Sequence, residues 1–383
     1  MIPLFKVFMS DNASREVTKV LKSGYIGQGP MVDKFEKNLK EWFQLDYLLT
    51  TNSATSAEHL ALHMLKKNMD GIRSKWNGLN DGDEVLCTPL TCTATNWTVL
   101  ANNLNIKWVD VDRDNLNMCL TDLRRKITPK TKVIYVVHWG GYPLDLDELK
   151  KIQIDTEKLY GFKPVIIEDC AHSFGSEYKN EKIGSHGNIC TFSFQAIKHL
   201  TSVDGGMLVV PHKELLDRGK LLRWYGIDRE DTSRKDFRCE EDIKEWGFKF
   251  HMNDVSAAVG VENLKAVDDL VKTHKSNGAY YNKELKKVDG VTLLENKKDR
   301  DSAYWMYTMK VKDRNNFMRM MAEKDIMVSR VHERNDKHTC VSDFLSHLPT
   351  LDEVAEEMIC IPVGWWVSQE DREYIADTIK TGW

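Results

Sequence analysis

Between Pro164 and Val210 three short apolar runs follow one another: Val165-Ile166-Ile167, Cys190 to Phe194, and Met207 to Val210. Each is rich in β-branched or aromatic residues and is bounded by glycine or polar residues, which is the pattern of buried strands. The first run ends on Glu168-Asp169, and the second is followed by Lys198-His199. Open α/β sheets carry their chemistry at strand ends, not in strand interiors. A chain with this stretch is therefore constrained to a sheet that delivers charged groups to one edge.

An aspartate at one strand end and a lysine just past the next suit pyridoxal phosphate (PLP). The lysine amine forms a Schiff base with the aldehyde of that cofactor. A carboxylate facing the pyridine nitrogen keeps it protonated, so that the ring acts as an electron sink. Ser193, five residues before the lysine, offers a hydroxyl to the phosphate. Taken singly, Asp169 reads as a helix N-cap and Lys198 as a surface lysine. Their order between buried strands favours the cofactor.

The segments EDCAHSFG and FSFQAIKHLTSVDGG resemble the PLP-dependent nucleotide-sugar aminotransferases of the DegT/StrS family. The matching positions are Glu168-Asp169, Cys170, Ala171, His172, Ser193-Phe194, Lys198 and Gly205-Gly206. The resemblance implies Lys198 as the Schiff-base lysine and Asp169 as the partner of the ring nitrogen. It places His172 beside the ring near its phenolic oxygen, and Ser193 on the phosphate. It runs in the right order through nearly the whole chain.

Other stretches extend it. Gly24, Gly29, Val32, Phe35 and Glu36 match a stretch that in the family helps to form the sugar-nucleotide site. Tyr25, in the turn, is a candidate substrate residue, as is His332. Tyr47 to Thr50 reads as a strand, followed by small hydroxyl residues that open a helix carrying Leu60, Ala61 and Met64. Free N–H groups and the positive end of the dipole make such a turn a phosphate seat. The resemblance assigns Ala54 and Thr55 to it. Cys92 stands where the family usually stacks an aromatic on the ring; either Cys92 lies against the ring or Trp97 or another aromatic covers it. His138, at the end of the strand Lys132 to Val137, reads by itself as a satisfied core histidine. Trp246 to Asp254 resembles a family stretch that reaches the cofactor phosphate of the neighbouring subunit. Lys249 there offers a point charge to that phosphate.

Composition removes other classes. The 383 residues carry a net charge of −4, which gives no electrostatic case for nucleic acid or a membrane surface. The eight cysteines include no CxxC pair, so a zinc site is disfavoured and no metal is expected. Scattered free cysteines fit a reducing cytosol. No apolar run approaches the length of a membrane span. We therefore expect a cytoplasmic enzyme.

The expected architecture is α/β: a large domain at 1–245 with a mostly parallel seven-stranded sheet flanked by helices (PLP fold type I), and a smaller α+β domain at 246–383. Strands are expected at Ala303 to Tyr307 and Val328 to His332 in the smaller domain. The implied reaction moves an amine from L-glutamate to a nucleotide-linked 4-keto-6-deoxysugar, with the pyridoxamine form of the cofactor (PMP) as intermediate. The product, a 4-amino-4,6-dideoxysugar nucleotide, suits lipopolysaccharide or O-antigen biosynthesis. Alternatives are a 3-keto sugar aminotransferase and a PLP/PMP sugar 3-dehydratase; the latter branch typically carries histidine in place of Lys198. The family also implies a homodimer with shared active sites.

Overall fold

In the computed structural model the described residues are 1–67, 78–230 and 242–383. Cys239 lies outside them. The first part of the chain forms α1 (Ala13–Ser23), α2 (Pro30–Phe43), β1 (Leu48–Thr51), α3 (Ala54–Met64), β2 (Glu84–Cys87), α4 (Thr93–Ala101) and β3 (Asn105–Trp108). Then come α5 (Leu120–Lys126), β4 (Thr131–Val137), α6 (Leu146–Tyr160), β5 (Val165–Asp169), β6 (Glu177–Tyr178), β7 (Glu181–Lys182), β8 (Ile189–Ser193), β9 (Gly206–Val209) and α7 (Lys213–Leu222). The rest forms α8 (Asp254–Leu264), α9 (Val267–Glu284), β10 (Val291–Leu293), β11 (Arg300–Asp301), β12 (Tyr307–Val311), α10 (Arg314–Glu323), α11 (Pro349–Glu357), β13 (Met358–Ile361) and α12 (Gln369–Lys380).

Seven strands make the main sheet, in the order β1-β9-β8-β5-β4-β2-β3. All neighbours are parallel except β9, which runs against both β1 and β8. Both faces are covered, so side chains alternate between two apolar cores. Leu49 and Leu208 face one core, with Ala57, Leu60 and Ala61 of α3. Leu48, Met207 and Val209 face the other, with Phe35 and Leu39 of α2 and Ala257 and Val261 of α8.

The register lines up the functional edge. Asp169 pairs with Val137 on one side and Thr191 on the other, while Gly206 pairs with both Ser193 and Thr51. The ends of β5, β8 and β1 thus meet the start of β9 along one edge, and α3 begins there.

The smaller sheet, β10-β12-β13, packs with α10 and α12 around Phe317, Ile359 and Ile375. The third core takes Tyr281 and Leu285 of α9, whereas Val267 and Val271 of the same helix, and later residues such as Ala303, Trp305, Leu351 and Cys360, pack into the two cores of the large sheet, so the chain crosses between cores more than once. Two expected strands differ. Residues 303–306 precede β12, which starts at Tyr307. The Val328 to His332 stretch makes a single bridge, Ser329 to Cys360, and no strand. Positive φ at Tyr304 (47°), Val331 (32°) and His332 (84°) accounts for both, because a ladder requires extended backbone. Among the described residues no helix is long and apolar enough to cross a membrane.

Candidate active site

The phosphate seat follows from how α3 starts. Ser53 is its N-cap, with Oγ accepting the Ser56 amide at 3.1 Å. Ala54 and Thr55 supply the first two amides of the helix, which have no acceptor within it. Gly206 passes against this turn: a Cβ there would lie 2.4 Å from the Ser53 carbonyl oxygen. Only glycine lets β9 approach the helix start so closely. Ser193, across the ladder from Gly206, is buried and its Oγ accepts the Gln195 amide at 3.3 Å. Its O–H remains a donor for an anion.

Asp169 ends β5, the strand that pairs with β8. Its Oδ1 accepts the Ala171 amide at 2.9 Å and its Oδ2 accepts the Thr95 hydroxyl at 2.7 Å. Burial raises its carboxyl above the ordinary value, while these two bonds and the Lys198 charge pull it back. A cation opposite this carboxylate, such as a protonated pyridine, would stabilise it further.

Lys198 follows β8 in a short turn. Burial lowers its amine to about 8, with Asp169, Cys92 and Glu58 opposing. Its Nζ sits 3.4 Å from the centroid of the Trp305 ring, which in turn stacks on His172 at 4.0 Å and 15°. His332 lies parallel to His172 at 5.7 Å. Burial keeps both imidazoles neutral, His332 at about 4 and His172 well below its usual value. His172 Nδ1 and His332 Nε2 are buried without partners. The donor set fits the cofactor: two free helical amides and a serine hydroxyl for a phosphate, a carboxylate for the ring nitrogen, a depressed lysine for the aldehyde, and an unpartnered imidazole nitrogen for the phenolic oxygen.

Seven of the expected residues are brought together in this way: Ala54, Thr55, Asp169, His172, Ser193, Lys198 and His332. Cys92 borders the group as the residue preceding α4, and its field reaches Lys198. Trp97 packs instead on His338 at 5.8 Å, so the aromatic ring beside Lys198 is Trp305. Two residues stay outside in the single chain. Tyr25 is 83% exposed in the turn between α1 and α2. Lys249 is exposed in an extended segment whose neighbours Phe248 and Phe250 turn inward and stack at 4.5 Å.

The Gly24 to Glu36 motif proves structural in its second half. Val32 and Phe35 are fully buried, and Glu36 accepts from Arg223 at 2.5 Å and from the Thr50 amide at 2.8 Å. His138 is likewise a satisfied core residue. Its Nδ1 accepts the Leu144 amide at 3.1 Å, which leaves Nε2 to donate to Glu168 at 2.8 Å. Cys170 lies close to that pair, but both histidine nitrogens are already engaged.

Sequence reasoning did not single out Thr95, Trp305 or Glu58. Nothing local marks Thr95 or Trp305. Glu58 does carry a signal, an acid among Ala57, Leu60 and Ala61 on a buried helix.

The model of the DegT/DnrJ/EryC1/StrS aminotransferase family matches residues 8–380. The chain belongs to this family. The crystal structure of AtS13 from Actinomadura melliaura is 46% identical, with a TM-score of 0.94 over 100% of this chain and 99% of that one. The sugar aminotransferase CalS13 from Micromonospora echinospora is 42% identical, with a TM-score of 0.94 over 100% of both chains. The GDP-perosamine synthase of Escherichia coli O157:H7 is 28% identical over 383 residues, 99% of this chain and 98% of that protein. The family member is thus a PLP-dependent aminotransferase with the fold expected of one.

Proposed function

We propose that this aminotransferase moves an amino group from L-glutamate to the keto carbon of a nucleotide-linked 4-keto-6-deoxysugar, giving a 4-amino-4,6-dideoxysugar nucleotide. The observation that carries the reading is Lys198: a buried amine lowered to about 8 and set among Asp169, His172 and Trp305. The similarity to a GDP-perosamine synthase over nearly the full length supports the substrate class. A lysine at this position favours transamination over 3-dehydration.

Bound cofactor supplies the electron sink that makes the donor's α-hydrogen acidic. Lys198 would hold the cofactor through its aldehyde, and its Nζ, lowered to about 8, would serve as the base for the proton on the donor α-carbon. Asp169 keeps the ring nitrogen protonated. Ala54, Thr55 and Ser193 would bind the phosphate, and Cys92 would border the ring. His172 would orient the phenolic oxygen, and with Trp305 it would exclude water. His332 and Tyr25 contact the sugar nucleotide, Tyr25 from its exposed turn.

The same reading makes the enzyme a homodimer with shared sites. Lys249 points outward because Phe248 and Phe250, its neighbours in an extended segment, pack inward against His59. It would then serve the partner's phosphate. The product would feed surface-polysaccharide synthesis, such as O-antigen, from the cytoplasm.

The test is turnover of UDP-, dTDP- and GDP-linked 4-keto- and 3-keto-6-deoxysugars with glutamate, read by mass spectrometry. An amine product from a 4-keto sugar, matched by 2-oxoglutarate, is expected. Amination of 3-keto sugars alone, or loss of a hydroxyl without amination, would overturn the reading.

A further inference from the structure

Glu58 lies on α3 one turn beyond Ala54, beside the fully buried Ala57, Leu60 and Ala61. It is 2% exposed, and its Oε2 has no hydrogen-bond partner. The Tyr135 hydroxyl on β4 is also buried and unpartnered. An ionised carboxylate in such a place carries a large desolvation cost. The ionisable groups facing Glu58 come from four elements: Asp169 at the end of β5, Cys92 ahead of α4, Lys198 after β8, and Tyr135 on β4. Burial, and then the like charge of Asp169, hold its carboxyl well above the ordinary value.

Two carboxyls in one dry cluster do not both ionise readily. Hydrogen bonding decides which of them carries the charge. Asp169 accepts two bonds, from Thr95 at 2.7 Å and Ala171 at 2.9 Å, whereas Glu58 Oε2 accepts none. The anion therefore resides on Asp169 and the proton on Glu58.

We propose that Glu58 is a positioning residue for the ring-nitrogen end of the cofactor seat, a neutral carboxylic acid that keeps one negative charge there, on Asp169. A single charge matches the single proton of the pyridine nitrogen. Were Glu58 the anion, Asp169 would take up the proton and the ring nitrogen would lose its partner. The inference rests on the cofactor seat and not on which keto sugar is used.

The holoenzyme is compared with Glu58→Gln and Glu58→Leu, and turnover is not read. Infrared difference spectra against Glu58→Gln should show a protonated-carboxyl band in the parent above pH 7 that the variant lacks. The neutral, isosteric Gln variant should keep the pH midpoint of the bound-cofactor absorbance. The Leu variant is neutral as well and leaves the single charge on Asp169, so it too should keep the parent's midpoint. Absence of the band from the parent overturns the proposal. So does a shifted midpoint in Glu58→Gln, which would place the charge on Glu58. Circular dichroism of the apoproteins confirms that each variant is folded.

Discussion

The depressed amine of Lys198 predicts how the apoprotein takes up its cofactor. Only the neutral amine attacks an aldehyde. Burial lowers Lys198 from 10.5 to about 8. At pH 7.4 roughly a fifth of such amines are neutral, against about one in a thousand at the ordinary value, an advantage of about two hundred-fold. Stopped-flow absorbance after mixing apoprotein with pyridoxal phosphate should show a rate that rises through about pH 8 and then levels. Asp169→Asn removes the anion that most opposes the shift, so its midpoint should fall below the parent's. Trp305→Leu removes the ring that attracts the ammonium, and should lower the midpoint by about one pH unit or less. The same shift enters folding. Between about 8 and 10.5 the unfolded lysine still holds a proton that the folded one has lost, so apoprotein stability rises with pH in that window. The full rise is about 3 kcal/mol. An uptake rate still climbing through pH 10 in the parent, and unmoved in both variants, would refute the reasoning.

Four further outcomes are expected. Lys198→Ala should lose all turnover, and borohydride should no longer fix cofactor to the chain. Arg223→Met leaves Glu36 buried without its cation, so urea unfolding should show a loss of about 3–5 kcal/mol. Gly206→Ala forces a Cβ to 2.4 Å from the Ser53 carbonyl; dialysis should show cofactor held about tenfold more weakly, because the α3 start must shift. Mixing inactive Lys198→Ala with Lys249→Glu and allowing subunit exchange should restore activity, since one hybrid site carries neither lesion; an active monomer in sedimentation would end the shared-site reading.

How much of this was legible in the chain depends on how far each interaction reaches. Asp169 and Ser193 were readable because each ends a strand, and Lys198 because it follows one closely; a buried strand shows itself in five residues of sequence. The start of α3 was readable for the same reason: a helix N-terminus presents free amides whatever lies around it. Trp305 was not. It reaches Lys198 from 107 positions away, through a turn in which Tyr304 has φ 47°, and the run Ala303 to Tyr307 looks like a strand to any local rule. Glu36 was misleading in the opposite sense. An acid inside a recognised motif suggests a ligand contact, but its partner Arg223 lies 187 positions away and the pair ties α2 to the end of α7. Glu58 lies between these cases. Its sequence already shows an acid on an apolar helical face, an inconsistency that local rules detect without resolving. Only the fold brings that acid within electrostatic reach of Asp169, which is what makes an apparent mistake in the pattern chemically meaningful.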